Sequence, residues 1–174
     1  MSGIIGGVEN KGRTGRIGGP IGAVISHQIK QNLGAGSSYT STNFAEISSN
    51  LRTTITPKFS TSKILVTSCL YTSSANSRQT YRMYRSIAGG AYGQAPNASA
   101  DGTDNDDGMY NLYTNSEAFM KMNSFTFLDA PATTGAVIYS PYWSVSGGTI
   151  YMNRDAGGDT NRGVSTITVM EVSG

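Results

Sequence analysis

The chain has one histidine, His27, and one cysteine, Cys69. Nucleophilic catalysis needs a nucleophile, a base and a group that orients the base. With a single imidazole, and no motif around any of the many serines, that set cannot be assembled. The same counts exclude an internal disulfide framework, a multi-cysteine metal site and the common multi-histidine zinc sites. Cys69 stands beside Leu70 in a strand-like run and reads as a small core or interface residue rather than a reactive thiol. Asp129, in Leu128-Asp129-Ala130-Pro131, reads as a turn cap rather than half of a sugar-cleaving carboxylate pair. Gly3-Ile4-Ile5-Gly6-Gly7 and Gly12-Arg13-Thr14-Gly15 lack the Gly-Lys-Ser/Thr and the preceding strand of a phosphate cradle. No enzymatic activity and no cofactor are expected.

Residue types that bind are more plentiful. Asp101, Asp104, Asp106 and Asp107 gather four of the eleven acidic residues around glycine and asparagine. Their oxygens suit a hard cation, but the spacing departs from the EF-hand pattern and no bidentate glutamate closes the loop. They read as a solvated acidic loop, assigned no metal. With Tyr92 they lie in Ala88–Gly108, about twenty residues without a pattern; loops of that length inside a compact domain are usually functional or disordered. Tyrosines exceed the needs of a small core. Tyr81, Tyr84, Tyr139 and Tyr142, with Trp143 and the neighbouring Arg82, are the types enriched where proteins meet, so a subunit interface is expected there. Base stacking would use similar residues, but no RNA-binding signature is present, and a net charge of +2 is too small to argue for nucleic-acid binding over the whole molecule, so no nucleic-acid partner is expected.

These side chains must be positioned by strands. Thr, Ser, Gly, Tyr, Val and Ile abound, while the residues of surface helices are sparse. Charged residues make up 14% of the chain, against a usual figure of about 25%, so Ser, Thr, Asn and Gly must coat the surface. Strand-like runs cover Ala23–Ile29, Tyr39–Ile47, Leu51–Ile55, Lys63–Tyr71, Gln79–Ile87, Met109–Tyr113, Met122–Leu128, Ala136–Val145, Thr149–Asn153 and Ser165–Val172, separated by Gly and Pro breakers. Ile64, Val66 and Leu70 fall on one face of their run; Phe125 with Phe127, and Ile167 with Val169, do so in theirs. A single helical turn fits Asn115–Lys121. The expected fold is an all-β antiparallel β-sandwich of jelly-roll type over residues 21–174. No run approaches the 18 or so apolar residues of a membrane span.

Residues 1–20 differ in texture. Gly3, Gly6, Gly7, Gly12, Gly15, Gly18 and Gly19 break any period, yet hydrophobic points remain at Ile4, Ile5 and Ile17, with positive charge at Lys11, Arg13 and Arg16. Such a segment buries too little apolar surface to order itself. It is expected to be an extended arm that orders on a partner. The start lacks a secretion signal, which predicts synthesis in the cytoplasm of the producing cell and exit, if any, within an assembly.

Several motifs carry a resemblance. They are Leu51–Val66, with Ile55-Thr56-Pro57 before Lys63-Ile64-Leu65-Val66; Phe125–Thr134; Gly148–Arg154; Ser165–Val172; and the opening Met1-Ser2-Gly3-Ile4-Ile5-Gly6-Gly7. Together, in this order, they resemble a module of small virion structural proteins in bacteriophages of marine and freshwater bacteria. The likeness spans roughly residues 20–172 and departs from the pattern in Ala88–Tyr113. It implies a virion component with a jelly roll similar to the trimeric C1q/TNF heads, and hence a homotrimer; it carries over no catalytic residue. Two roles follow. One is a capsid decoration or cement protein whose arm threads over the major capsid protein. The other is a tail-fibre or head-fibre tip that binds a host surface glycan through Ala88–Gly108.

Overall fold

The computed structural model describes residues 24–32, 37–75, 77–96, 108–114, 118–158 and 161–173. The arm, with Ile4, Ile5, Lys11, Arg13, Arg16 and Ile17, and the acidic residues Asp101, Asp104, Asp106 and Asp107 lie outside the described residues. The described part is built of antiparallel strands, with one 3-10 turn at Ser49–Leu51 and no α-helix.

The strands are β1 (Val24–Asn32), β2 (Ser38–Tyr39), β3 (Ala45–Glu46), β4 (Thr53–Ile55), β5 (Lys63–Ser74), β6 (Ser77–Ile87), β7 (Gly93–Gln94), β8 (Tyr110–Thr114), β9 (Lys121–Asp129), β10 (Val137–Val145), β11 (Ile150–Met152) and β12 (Ser165–Val172). They form two six-stranded sheets. In the first sheet β5 is central: β9 pairs along one side, β12 and then β11 along the other, with β1 beyond β12 and β2 beyond β11. In the second, β10 is central between β6 and the short β3 and β4, and β7 and β8 line the far side of β6. The β-sandwich expected from the sequence is what forms.

The period of two explains the packing. Ile64, Val66 and Leu70 of β5, Phe125 and Phe127 of β9, and Ile167 and Val169 of β12 all point between the sheets and are buried. Tyr81 and Met83 of β6 and Val137, Tyr139, Trp143 and Val145 of β10 meet them from the other side. Burying each of these large side chains stabilises the fold by roughly 1.5–3 kcal/mol.

Three departures from the expected elements have local causes. The run Tyr39–Ile47 is broken because the chain crosses there from the first sheet to the second. Ser41 Oγ accepts from Asn43 N (3.1 Å) and the Tyr39 phenol donates to Asn43 O (2.6 Å), fixing the corner. In the loop after β6, Gly90 N bonds Ile87 O (2.9 Å) and β7 returns along β6 opposite Tyr84 and Arg85. Ala95 N then reaches Met83 O, while Met109 N reaches Tyr81 O, each at 2.9 Å. Ala95 and Met109 therefore bond to neighbouring positions on one edge of β6. Gly108 sits so close to that edge that a Cβ would lie 2.6 Å from Tyr81 O. Lastly, residues 118–120 carry no regular structure and β9 begins at Lys121, so no helical turn occupies the described part of Asn115–Lys121.

Candidate functional site

The residues expected at a subunit interface divide in two. Tyr81, Tyr139 and Trp143 have essentially no exposed surface. They face the gap between the sheets, so the interface reading is corrected for them: they are core. Tyrosine at an inward strand position supplies volume, and its hydroxyl is satisfied inside. The Tyr81 phenol donates to Gln79 Oε1 (2.6 Å) within a buried polar knot that includes Thr72 and Asn123. Burial pushes the Tyr81 and Tyr139 hydroxyls well above their ordinary titration range, and the Asp129 carboxylate adds to the effect at Tyr139. Arg82, on the outward face of β6, is nearly buried, its guanidinium 4.0 Å above the Phe44 ring.

Tyr84 and Tyr142 do stand on the outer face of the second sheet, half-buried, with ring centroids 4.0 Å apart. The structure adds Tyr92 to them, 6.4 Å from Tyr142, joining residues the sequence placed in separate groups. Arg52 lies 5.4 Å over the Tyr92 ring and grips Glu46 with two hydrogen bonds of 2.7 Å, while Ser140 Oγ donates to the same carboxylate at 2.6 Å. The Arg52 bonds hold the Glu46 carboxyl below its usual range. Partial burial raises the Tyr92 and Tyr142 phenols. The charged groups of this cluster, Arg52 and Glu46, are already partnered within the chain.

A different surface is less satisfied. On the outer face of the first sheet the register aligns Leu128 of β9, Leu65 of β5 and Met170 of β12 in one row, next to a row of Thr126, Thr67 and Thr168. Tyr71 pairs with Met122, and Ile29 lies opposite Thr168. Val24, Ile29, Met122 and Leu128 are 56%, 54%, 57% and 42% exposed. Among the described side chains of these four strands, Lys63 brings the one formal charge to the face, at its corner, and the exposed His27 stands opposite Met170. Cys69 lies here too, its thiol pushed up by partial burial. Sequence reasoning singled out the tyrosines and passed over this apolar surface. The available signal was that both parities of β5, β9 and β12 carry large apolar residues, where a sandwich strand facing water alternates cleanly.

Two carboxylates serve the fold rather than chemistry. Asp129 closes the local turn by accepting from Ala130 N (2.9 Å), as expected, and is also buried against Arg85 and Tyr139. Glu171 is fully buried and accepts from Lys58 N at 2.7 Å and Ser26 Oγ at 3.2 Å. Among the described residues no group of three His, Cys, Asp or Glu is placed to hold a metal ion. No helix among them is long and apolar enough to cross a membrane.

The geometry defines an antiparallel β-sandwich with one apolar, nearly charge-free outer sheet face. The sequence matches no protein-family model and no curated protein. Among solved structures the chain is similar to that of the infectious bursal disease virus Gt strain, with a TM-score of 0.44 and 8% identity, covering 87% of this chain and 39% of that one. The Gx strain gives 0.37 and 10%, covering 87% and 43%, and the VP2 subviral particle of the same virus 0.35 and 12%, covering 87% and 38%. The chain thus spans about two-fifths of the length of these chains.

Proposed function

We propose that the chain is a structural component of a bacteriophage particle, a homotrimer that decorates the capsid and is held there by its N-terminal arm. The observation that carries this is the outer face of the first sheet. It presents Leu65, Leu128 and Met170 in one row, Ile29 beside the adjoining threonine row and Met122 toward the other end of β9, several of them well exposed, and apolar side chains left in water in this number are what assembling subunits bury. With Lys63 alone bringing a formal charge to its described part, little charge has to be desolvated when copies meet. The number three comes from the resemblance to trimeric jelly-roll heads, and closed symmetry lets one such patch per subunit be buried around an axis. Lys11, Arg13 and Arg16 would supply salt-sensitive contacts to acidic neighbours, and Ile4, Ile5 and Ile17 apolar anchors.

The test is stoichiometry and attachment. Quantitative mass spectrometry of purified particles should count hundreds of copies; a few or a few dozen would move the chain to a fibre. Removing residues 2–19 should leave the domain's cooperative melting intact and abolish its addition to particles that lack the protein.

A further inference from the structure

Beyond the assembly face, and independent of it, a cleft of about 270 Å3 opens between the approach to β9 and the hairpin that joins β11 to β12. Ala118, Phe119, Asp155, Gly157, Gly158 and Asn161 line it. The cleft is built rather than incidental. Ala156 N donates to Ala118 O at 2.9 Å, Gly163 N donates to Asn153 O at 3.2 Å, and Arg154 bridges to Arg162, so both walls are tied by backbone. Asp155 is 8% exposed, accepting from Met120 N at 2.8 Å through Oδ1 and from the Asn161 amide through Oδ2. A carboxylate has about four lone-pair sites, and these two bonds leave acceptor capacity on each oxygen. Beside this carboxylate stands Phe119, 66% exposed, a large ring that the fold leaves in water.

We infer that this cleft binds a single sugar ring of a surface glycan. A pyranose presents hydroxyl donors on its rim and an apolar C–H face. Asp155 accepts hydrogen bonds from the hydroxyls, Asn161 supplies an amide beside it, and Phe119 offers apolar cover. Gly157 and Gly158 let the ring approach the backbone: a Cβ on Gly157 would meet the Ala118 Cβ at 3.3 Å, while one on Gly158 meets nothing within 4 Å. The volume falls just below the roughly 300–1,000 Å3 of drug-sized sites, which suits one ring and leaves further rings to lie outside. An anionic ligand would face the Asp155 carboxylate, and one carboxylate with one amide is too few oxygens for calcium.

The experiment is saturation-transfer NMR on the full chain with the methyl glycosides of glucose, mannose, galactose and N-acetylglucosamine, and adenosine as a planar, non-pyranose control. At least one glycoside should receive saturation with a millimolar dissociation constant. Gly158→Leu adds bulk to the cleft lining at a position where a Cβ meets nothing within 4 Å, and should abolish transfer. Phe119→Ala should weaken it about tenfold, and both variants should melt like the parent chain. No transfer to any glycoside, transfer to adenosine alone, or transfer unchanged in both variants would overturn the assignment.

Discussion

The Tyr139 phenol reaches across the sandwich to donate a 2.6 Å hydrogen bond to Asp129 Oδ2, joining the central strand of one sheet to the edge strand of the other. Arg85, directly opposite Tyr139 in the β6–β10 register, reaches the same carboxylate. Asp129 is 2% exposed, so its charge depends on these two partners for compensation.

Removing that charge should therefore cost more than removing either bond alone. Asp129→Ala should destabilise the domain by about 3 kcal/mol, since it leaves the Arg85 guanidinium largely buried and unpaired. Tyr139→Phe should cost about 1 kcal/mol, the ordinary net worth of one hydrogen bond. The double change Arg85→Met with Asp129→Leu should be milder than Asp129→Ala. Urea unfolding checks all three; an Asp129→Ala loss under about 1 kcal/mol would show that the clamp is not holding the sheets.

High pH should loosen the same region. The hydroxyls of Tyr81 and Tyr139 titrate above their usual value of 10.0 in the fold because burial disfavours phenolate. A raised folded pKa gives stability that is complete below the unfolded pKa and is lost as pH rises past it. Melting temperature should accordingly hold up to about pH 9 and fall progressively above about pH 10. Tyr81→Phe and Tyr139→Phe should each flatten that fall, which a differential scanning series from pH 8 to 11 would measure.

Backbone strain makes a third expectation. Ala88 and Ala132 hold positive φ values of 51° and 52°, a region that costs L-residues about 1–2 kcal/mol. Glycine removes that cost but adds roughly 0.5–1 kcal/mol of chain entropy. Ala88→Gly and Ala132→Gly should thus raise stability by up to about 1 kcal/mol each. Gly108→Ala should do the reverse, because its Cβ would meet Tyr81 backbone. Thermal melts of the three single variants decide it.

Much of the sandwich could be read from alternation alone. Ser165–Val172 coincides with β12, and Gln79–Ile87 and Met122–Leu128 fall within a residue or two of β6 and β9. What alternation could not supply was the partner across the gap. Tyr81 and Tyr84 are both tyrosines on β6, three residues apart. Only the pairing of sheets decides that one fills the core and the other lies outside. The cleft around Phe119 and Asp155 was hidden for a similar reason. Its walls are separated by more than thirty residues of sequence and meet only because Ala156 bonds back to Ala118. Gly93–Gln94 gave no strand signal, since glycine lacks the side chain on which β-propensity rests.

The reading of the first sheet's outer face as the assembly surface is tested most directly by the mass of the particle the free chain forms. Multi-angle light scattering at micromolar concentration should give three times the 18.3 kDa chain mass, little changed between low and high salt because the face is apolar. Leu65→Lys puts a charge at the centre of that face while pointing away from the core, so it should release monomers that still melt cooperatively. Tyr84→Ala, on the opposite face, should leave the trimer intact. A trimer that survives Leu65→Lys but falls apart with Tyr84→Ala would contradict the assignment, as would a parent chain that stays monomeric at every concentration tried.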